Sequence, residues 1–341
     1  MPRRHGPANP RHWKLAVLPL NRTPALPGGI ILPSPHRVAS AFLLGLGWLA
    51  LAGVSAGDPT ASVMSVDPLT VPDDDFARHR DPAEWKGLVV SRVEFREERA
   101  AWRLWRIANK HHHRGPLWFV PHDNENAGFE AGLEAVRRWG GTLIAVDAGI
   151  GEDGVRMNRA VDYGRPVDPN RNFDSALPGY ARHILADLKP GMPIIALHTN
   201  GRGFDTGESR CNKSDPPGGG VISIRYCDDV LRPSPSLGRA WPWDDDDTVA
   251  FATFRTGGAP SDAYCRDAMV AADFNVVQER VIASDRSLSN YAVLHGLDYL
   301  NFETLDRGDS PEGLAEGRRR LVHIIGRALA MCAPKVKPVE R

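Results

Sequence analysis

The first 56 residues contain no aspartate and no glutamate, yet they carry six basic residues, Arg3, Arg4, Arg11, Lys14, Arg22 and Arg37. The 341-residue chain has 42 Lys+Arg and 42 Asp+Glu, so everything after residue 56 holds 36 basic and 42 acidic residues, a net charge of −6. A mildly acidic body argues against a protein that works on nucleic-acid backbone, where a basic face is expected. Cysteine is scarce, with four in all (Cys211, Cys227, Cys265 and Cys332), and no pair has zinc-finger spacing. No repeat at a fixed period and no heptad pattern is present, which excludes solenoids and coiled coils. At 42% hydrophobic and 25% charged residues the composition excludes an intrinsically disordered chain. A body of this size can bury a large core as one domain or two small ones.

Long apolar runs are equally scarce. The one example is Val38 to Ala56 (VASAFLLGLGWLALAGVSA), preceded by the basic stretch and followed by Gly57-Asp58. Val54-Ser55-Ala56 has the small-x-small form of a signal-peptidase site, so residues 1–56 read as a signal peptide with a mature start at Gly57. The run is also just long enough to span a bilayer, which leaves an uncleaved N-terminal membrane anchor as the alternative. Either reading places the body in the periplasm or outside the cell. An even cysteine count in an exported body permits two disulfides. Cys211 and Cys227 flank the Gly/Pro-rich segment Ser214–Gly220 (SDPPGGG) and are the favoured pair, because a bridge there would restrain a loop that packing cannot hold. Buried free thiols are the alternative.

Residues 57–85 are rich in Asp and Pro and read as an extended lead-in. From residue 86 to 335 short apolar runs alternate with helical patterns. Leu88–Phe95, Leu117–Pro121, Thr142–Val146, Ile194–His198, Val249–Phe254, Asn275–Val281 and Tyr299–Glu303 read as strands, rich in Val, Ile, Leu and Phe and bounded by Gly, Pro or Asp. Ala127–Trp139, Tyr180–Leu188, Asp262–Ala272, Asn290–His295 and Pro311–Met331 read as helices, the last with Pro at its start. This alternation predicts a single α/β/α three-layer domain with a mixed, largely parallel sheet. In such sheets ligands gather at the carboxyl ends of strands, which directs attention to the polar residues there.

Four polar clusters occupy such ends. His122-Asp123-Asn124-Glu125 follows Leu117–Pro121, and its H-x-x-E spacing lets an imidazole and a carboxylate converge on one ion at a strand-to-helix turn. Asp168-Pro169-Asn170-Arg171-Asn172-Phe173 is the second cluster, His198 the third and Glu303 the fourth. Two His and one Glu hold a tetrahedral Zn2+ with the fourth position open, the composition of a catalytic site. Such chemistry needs a separate carboxylate to carry protons, which Glu303 can supply, and a cation beside the developing oxyanion. A substrate carboxylate needs a planar two-pronged donor, which Arg171 provides beside Asn170. His111-His112-His113 reads as an exposed run, since adjacent side chains share no face. Asp244–Asp247 reads as a solvated loop, since it lacks the Gly and Glu spacing of a calcium loop.

With these residues in view, the sequence resembles the zinc carboxypeptidases of the carboxypeptidase A type and related zinc amidases. The shared features are H-x-x-E (His122, Glu125), D-x-N-R-N-[FW] (Asp168 to Phe173), a lone His after an apolar strand (His198), a late strand closing on Phe302-Glu303, and the helix-Gly-strand cadence of Ser287–Glu303. The resemblance spans about Leu117 to Leu305, and the four clusters keep the family's order. It implies zinc on His122, Glu125 and His198, and Glu303 as general base and then acid. It also implies Asn170 and Arg171 as a carboxylate clamp, and Asp168 as the group that orients His122. The oxyanion-side Arg lies upstream of the clamp, with Arg156 the first choice and Arg159 the second. Two features depart from the family pattern. The flap Tyr has no clear match, Tyr264 and Tyr291 being the candidates, and the Gly201–Asp247 segment is long. The function implied is an exported zinc-dependent hydrolase that cleaves an amide or peptide bond next to a free carboxylate, with cell-wall or periplasmic peptides as substrates. The alternatives are a zinc amidase or deacylase of the same fold acting on acyl-amino acids, and a non-catalytic exported binding protein. No nucleic-acid partner is expected, and a membrane contact only through an uncleaved residue 38–56 segment.

Overall fold

A computed structural model describes residues 61–149, 154–200, 226–227, 248–255, 263–272, 274–281 and 284–339. The expected leader and its cleavage site at Ala56, the pairing of Cys211 with Cys227, the Gly201–Asp247 segment apart from the backbone of Tyr226–Cys227, and the side chain of Tyr264 lie outside the described residues. Among the described residues no helix is long and apolar enough to cross a membrane.

The described residues build one ten-stranded sheet. β1 (Ser62–Ser65), β2 (Leu88–Glu97) and β3 (Ala100–Asn109) form an antiparallel meander at one side. β4 (Leu117–Val120), β5 (Thr142–Asp147) and β6 (Ile194–Asn200) are mutually parallel through β4. β7 (Tyr226–Cys227), β8 (Thr248–Arg255), β9 (Asn275–Val281) and β10 (Tyr299–Leu305) complete it, in the order β1-β2-β3-β5-β4-β6-β10-β8-β9-β7. The inner run β5-β4-β6-β10 is entirely parallel, and β10 turns antiparallel to β8. The sheet is therefore mixed and largely parallel.

Both faces are covered. Among the described residues six helices follow in chain order: α1 (Asp74–Ala77), α2 (Asn126–Trp139), α3 (Pro178–Leu185), α4 (Ala263–Ala271), α5 (Leu288–His295) and α6 (Pro311–Cys332). Alternation along β4 sends Trp118 and Val120 to a core shared with Phe129 and Leu133 of α2 and Ile324 and Ile325 of α6. It sends Leu117 and Phe119 to an opposite core with Tyr180 and Ile184 of α3 and Leu288 of α5. A strand buried on both faces reads as a continuous apolar run, as Leu117–Val120 does. Gly317 permits the close approach of α6 to α2, since a Cβ there would lie 2.7 Å from the Ala127 Cβ.

Two parts of the chain depart from the sequence-based expectation. β3 carries Arg103 and Arg106 and joins β2 through a turn at Glu98, whose φ is +50°. That turn has none of the Gly, Asn or Pro that mark a hairpin, so the strand has no local signal. The 57–85 stretch is also not simply extended. Over residues 61–85 only Ser62–Ser65 is a strand. Asp73 caps α1 by accepting from the Asp75 and Phe76 amides, and Pro82–Trp85 forms a 3-10 turn. Phe76 is fully buried against Trp85, Trp105 and Phe129, with ring centroids at 5.3, 4.9 and 5.6 Å. This stretch is a strap laid over the sheet and the start of α2.

A disulfide joins Cys265 of α4 to Cys332 at the end of α6, across a sequence separation of 67. Sequence reasoning allowed a second bridge without assigning this pair, because the two cysteines meet only when α4 and α6 pack. A closed loop of that length constrains the unfolded chain strongly. Replacing both cysteines by serine is expected to lower the unfolding free energy by about 2–5 kcal/mol. Denaturant unfolding of oxidised, reduced and double-serine protein checks this, and an unchanged midpoint on reduction would contradict it.

Candidate metal centre and carboxylate clamp

Three parallel neighbours, β4, β6 and β10, end on one side of the sheet. The chain leaves β4 toward β5 on one flank, while β6 lies on the other, so the crevice between β4 and β6 is where the strand order reverses. His122 and Glu125 occupy the β4–α2 turn. His198 is the fifth residue of β6, and Glu303 pairs with it in register on β10. His198 and Glu303 therefore project from the same face of adjacent strands.

The first three side chains converge. His122, Glu125 and His198 are all buried, and one donor atom from each lies within 4.8 Å of the others. His122 Nδ1 is 2.8 Å from Glu125 Oε1, and His198 Nδ1 is 2.9 Å from Glu125 Oε2. The Thr199 backbone N–H donates to Oε2 at 3.1 Å, and Arg156 donates to Oε1. On the outer side His122 Nε2 meets Asp168 Oδ1 at 3.0 Å. The donor set fits a divalent cation such as zinc. Both imidazoles turn the same ring nitrogen inward, and a carboxylate fixes the outer nitrogen of His122, the arrangement that orients a metal-ligating histidine.

Electrostatics follow from this packing. Burial works against the Glu125 charge, but the His198 and His122 imidazoles outweigh it and hold its carboxyl far below the usual carboxylate range. Burial also opposes protonation of His122, yet its bonds to Asp168 and Glu125 raise its pKa. His198 is lowered by burial, which the Glu125 carboxylate does not reverse. Glu303 accepts from Asn301 Nδ2 at 3.3 Å, and its pKa is pushed up to about 8 by burial and by the nearby Glu125 charge. Two carboxylates in one crevice thus have opposite protonation tendencies, the arrangement expected of a structural ligand beside a proton carrier.

The Asn170-Arg171 segment is a 3-10 turn capped by Asp168, whose Oδ1 accepts both the Asn170 N–H at 2.8 Å and the His122 imidazole. This links the Asn170-Arg171 turn to the His122-Glu125-His198 cluster through one oxygen. Asn170 Oδ1 is buried and has no hydrogen-bond partner. Arg171 is half exposed and pairs with Asp285 at 3.6 Å. Of the two arginines considered for the oxyanion side, Arg156 makes the Glu125 contact. Arg159 is exposed, with its backbone N–H on Ala148. The Arg156 loop is tied to the metal segment by the Val155 N–H, which donates to Asp123 Oδ2 at 3.4 Å.

Other candidates lie elsewhere. Tyr291 packs on Phe173 and stacks on His295, with centroids at 5.8 and 4.0 Å. His111–His113 is exposed on the loop after β3, its backbone held by Asn109 Oδ1. Sequence reasoning missed three contributors: the Thr199 amide, Asp123 and Asp285. The Asp285-Arg-Ser287 run before an apolar helix carries the polar signature of a helix N-terminus, which could have flagged Asp285.

No family model matches the chain, and no curated protein does. Solved structures do show a likeness. The succinylglutamate desuccinylase of Chromobacterium violaceum is 14% identical, with 71% of this chain and 69% of that one covered and a TM-score of 0.36. The product-bound ectoine utilization protein EutE (DoeB) of Ruegeria pomeroyi gives 14%, 82%, 72% and 0.41 on the same measures. The tripeptide-bound cell shape determinant Csd4 of Helicobacter pylori gives 16%, 70%, 57% and 0.39. Desuccinylases and Csd4 belong to the zinc carboxypeptidase-like fold family that the sequence motifs resemble.

Proposed function

We propose that this chain is an exported zinc-dependent hydrolase that cleaves an amide or peptide bond next to a free carboxylate, on cell-wall or periplasmic peptides or acyl-amino acids. The observation that carries the reading is the convergence of His122, Glu125 and His198 beside an in-register Glu303 whose carboxyl favours the proton. A structural cation needs no such neighbour, whereas metal-assisted hydrolysis would need a proton-carrying carboxylate close to the metal ligands.

His122, Glu125 and His198 would hold a zinc ion, which would supply Lewis acidity to a water and to the scissile carbonyl. The protein supplies the rest. Glu303 takes the proton of the attacking water and returns it to the leaving amine. Arg156 places a guanidinium beside the carbonyl oxygen where negative charge develops. Arg171 and Asn170 receive the substrate carboxylate, and the unpartnered Asn170 Oδ1 offers an acceptor to a substrate N–H. Asp168 keeps the His122 tautomer fixed. Export is supported by the acid-free leader and by the Cys265–Cys332 bridge, since disulfides persist in oxidising compartments.

Zinc content is the first test. Protein purified without chelator is expected to hold about one zinc per chain by elemental mass spectrometry, as three protein ligands with an open position imply. His122→Ala is expected to lose it. A wild-type chain that takes up no zinc on reconstitution would refute the reading. Paired peptides with free and amidated C-termini then test the carboxylate requirement, because a deacylase that reads only the acyl side would cleave both.

A further inference from the structure

The clamp arginine is fastened from outside the sheet. Three contacts join the Arg171–Asp174 segment to the residues that open α5. Arg171 Nε pairs with Asp285 Oδ2 at 3.6 Å, the Phe173 N–H donates to the Arg286 carbonyl at 3.0 Å, and Arg286 pairs with Asp174 at 3.7 Å. Asp285 is itself held. Its Oδ1 accepts from the Ser287 N–H, the Ser287 hydroxyl and Asn290 Nδ2 at 2.8, 2.5 and 2.6 Å. One oxygen is thereby saturated by the helix cap, and the other is turned to the guanidinium. Arg286 sits at a φ of +68°, a conformation that a non-glycine residue keeps only where its surroundings over-determine it. The geometry of this clasp makes that conformation useful, because it aims the Arg286 carbonyl and the Asp285 carboxylate at the same short segment.

We propose that Asp285 is the positioning residue of the substrate-carboxylate site. It holds Arg171 by Nε, so that the remaining guanidinium nitrogens face an incoming carboxylate as a fork. This rests on the proposed role of Arg171. A guanidinium on a half-exposed, unrestrained side chain loses rotamer entropy each time it binds, and a partner that fixes its stem removes part of that cost. The same carboxylate keeps the site selective, since a neutral amide terminus gains nothing from an oriented cation.

Asp285→Asn separates the two duties of the residue. The amide oxygen can keep the three cap donors, while its NH2 group offers Arg171 a donor where a carboxylate stood. The test uses the full chain loaded with zinc and a series of mercaptoalkanoic acids of increasing length, beside their carboxamides. The thiolate is a ligand for zinc whatever the substrate side chain, and the far end reports on Arg171. Binding is read by calorimetry. In the parent protein the acid of best length is expected to bind more tightly than its amide, and Arg171→Ala is expected to erase the difference. Asp285→Asn is expected to weaken the acid about fivefold, the scale of an exposed ion pair, and to leave the amide unchanged. Asp285→Glu is expected to restore part of the loss. Equal weakening of acid and amide would reduce Asp285 to a structural cap and overturn the proposal. An unchanged preference in Asp285→Asn, with Arg171→Ala losing it, would overturn the proposal and leave the clamp standing. A parent that never prefers the acid would overturn clamp and proposal together.

Discussion

Glu303→Gln is expected to keep its zinc and lose its turnover. The substitution preserves the shape of the side chain and the contact with Asn301, and it leaves His122, Glu125 and His198 untouched, so about one zinc per chain should remain. A positioned proton carrier contributes about 10²- to 10⁴-fold to rate, and kcat should fall by roughly that factor with KM little changed. The pH profile gives a second readout. In the metal-free protein the Glu303 carboxyl holds its proton up to about 8, chiefly through burial and then through the Glu125 charge. A cation beside Glu125 cancels that second effect and draws the value down. For the wild type kcat/KM should rise as the base loses its proton on the acid side, and this limb should vanish in the variant. Steady-state kinetics across pH, with zinc measured on the same samples, decide the matter. Near-full turnover by zinc-loaded Glu303→Gln would remove Glu303 from the proton path.

Phe76→Ala is expected to destabilise the whole domain by about 3–5 kcal/mol, the range for emptying a buried aromatic site. The ring is fully buried and packs between Trp85, Trp105 and Phe129. For a domain of this size the loss corresponds to a melting temperature lower by about 10 °C. Val63→Ala on β1 is the control, because Val63 is 65% exposed and its truncation should change stability by less than about 0.5 kcal/mol. The strap also braces the metal segment. Arg78 donates to Glu130 on α2 at 3.1 Å, and His79 reaches the other oxygen of Glu130 at 3.1 Å. Phe129 follows Glu125 by four residues on the same helix start. Zinc affinity should therefore weaken along with stability in Phe76→Ala, as competition with a chromophoric chelator would read. Stability losses equal to those of the Val63 control would show that the strap merely rests on the surface.

Strands whose burial is two-sided were among the parts of the fold that could be read locally. Leu117–Val120 and Ile194–Leu197 are apolar throughout because parallel strands under helices meet no water on either face. β3 was not legible. It lies between β2 and β5, and its faces carry Arg103 and Arg106, which reach Asp147 and Asp187. Paired charges of that kind look like loop residues until their partners are in place. The strap was illegible for a related reason. Asp73, Asp75 and Phe76 are one turn of helix, too short for periodicity to reveal, and their burial depends on Trp105 and Phe129, distant in sequence.

At the site, the sequence singled out His122, His198 and Glu303 because each lies at the end of an apolar run, where ligand crevices form, and Glu125 by its H-x-x-E spacing from His122; their roles came from the family resemblance. Residue type also marked Asp168, Asn170 and Arg171 as one polar unit. Which nitrogen of each histidine faces inward, which of Arg156 and Arg159 reaches Glu125, and which acid holds Arg171 were decided only by the tertiary structure. These are choices between chemically equal groups, and a sequence lists the groups without distances. The Glu125 oxygens, the Asp168 oxygen and Asp285 make the selection once β4, β6, β10 and the cap of α5 are brought side by side. The Cys265–Cys332 bridge has the same character: four cysteines permit three pairings, and the packing of α4 on α6 chooses this one.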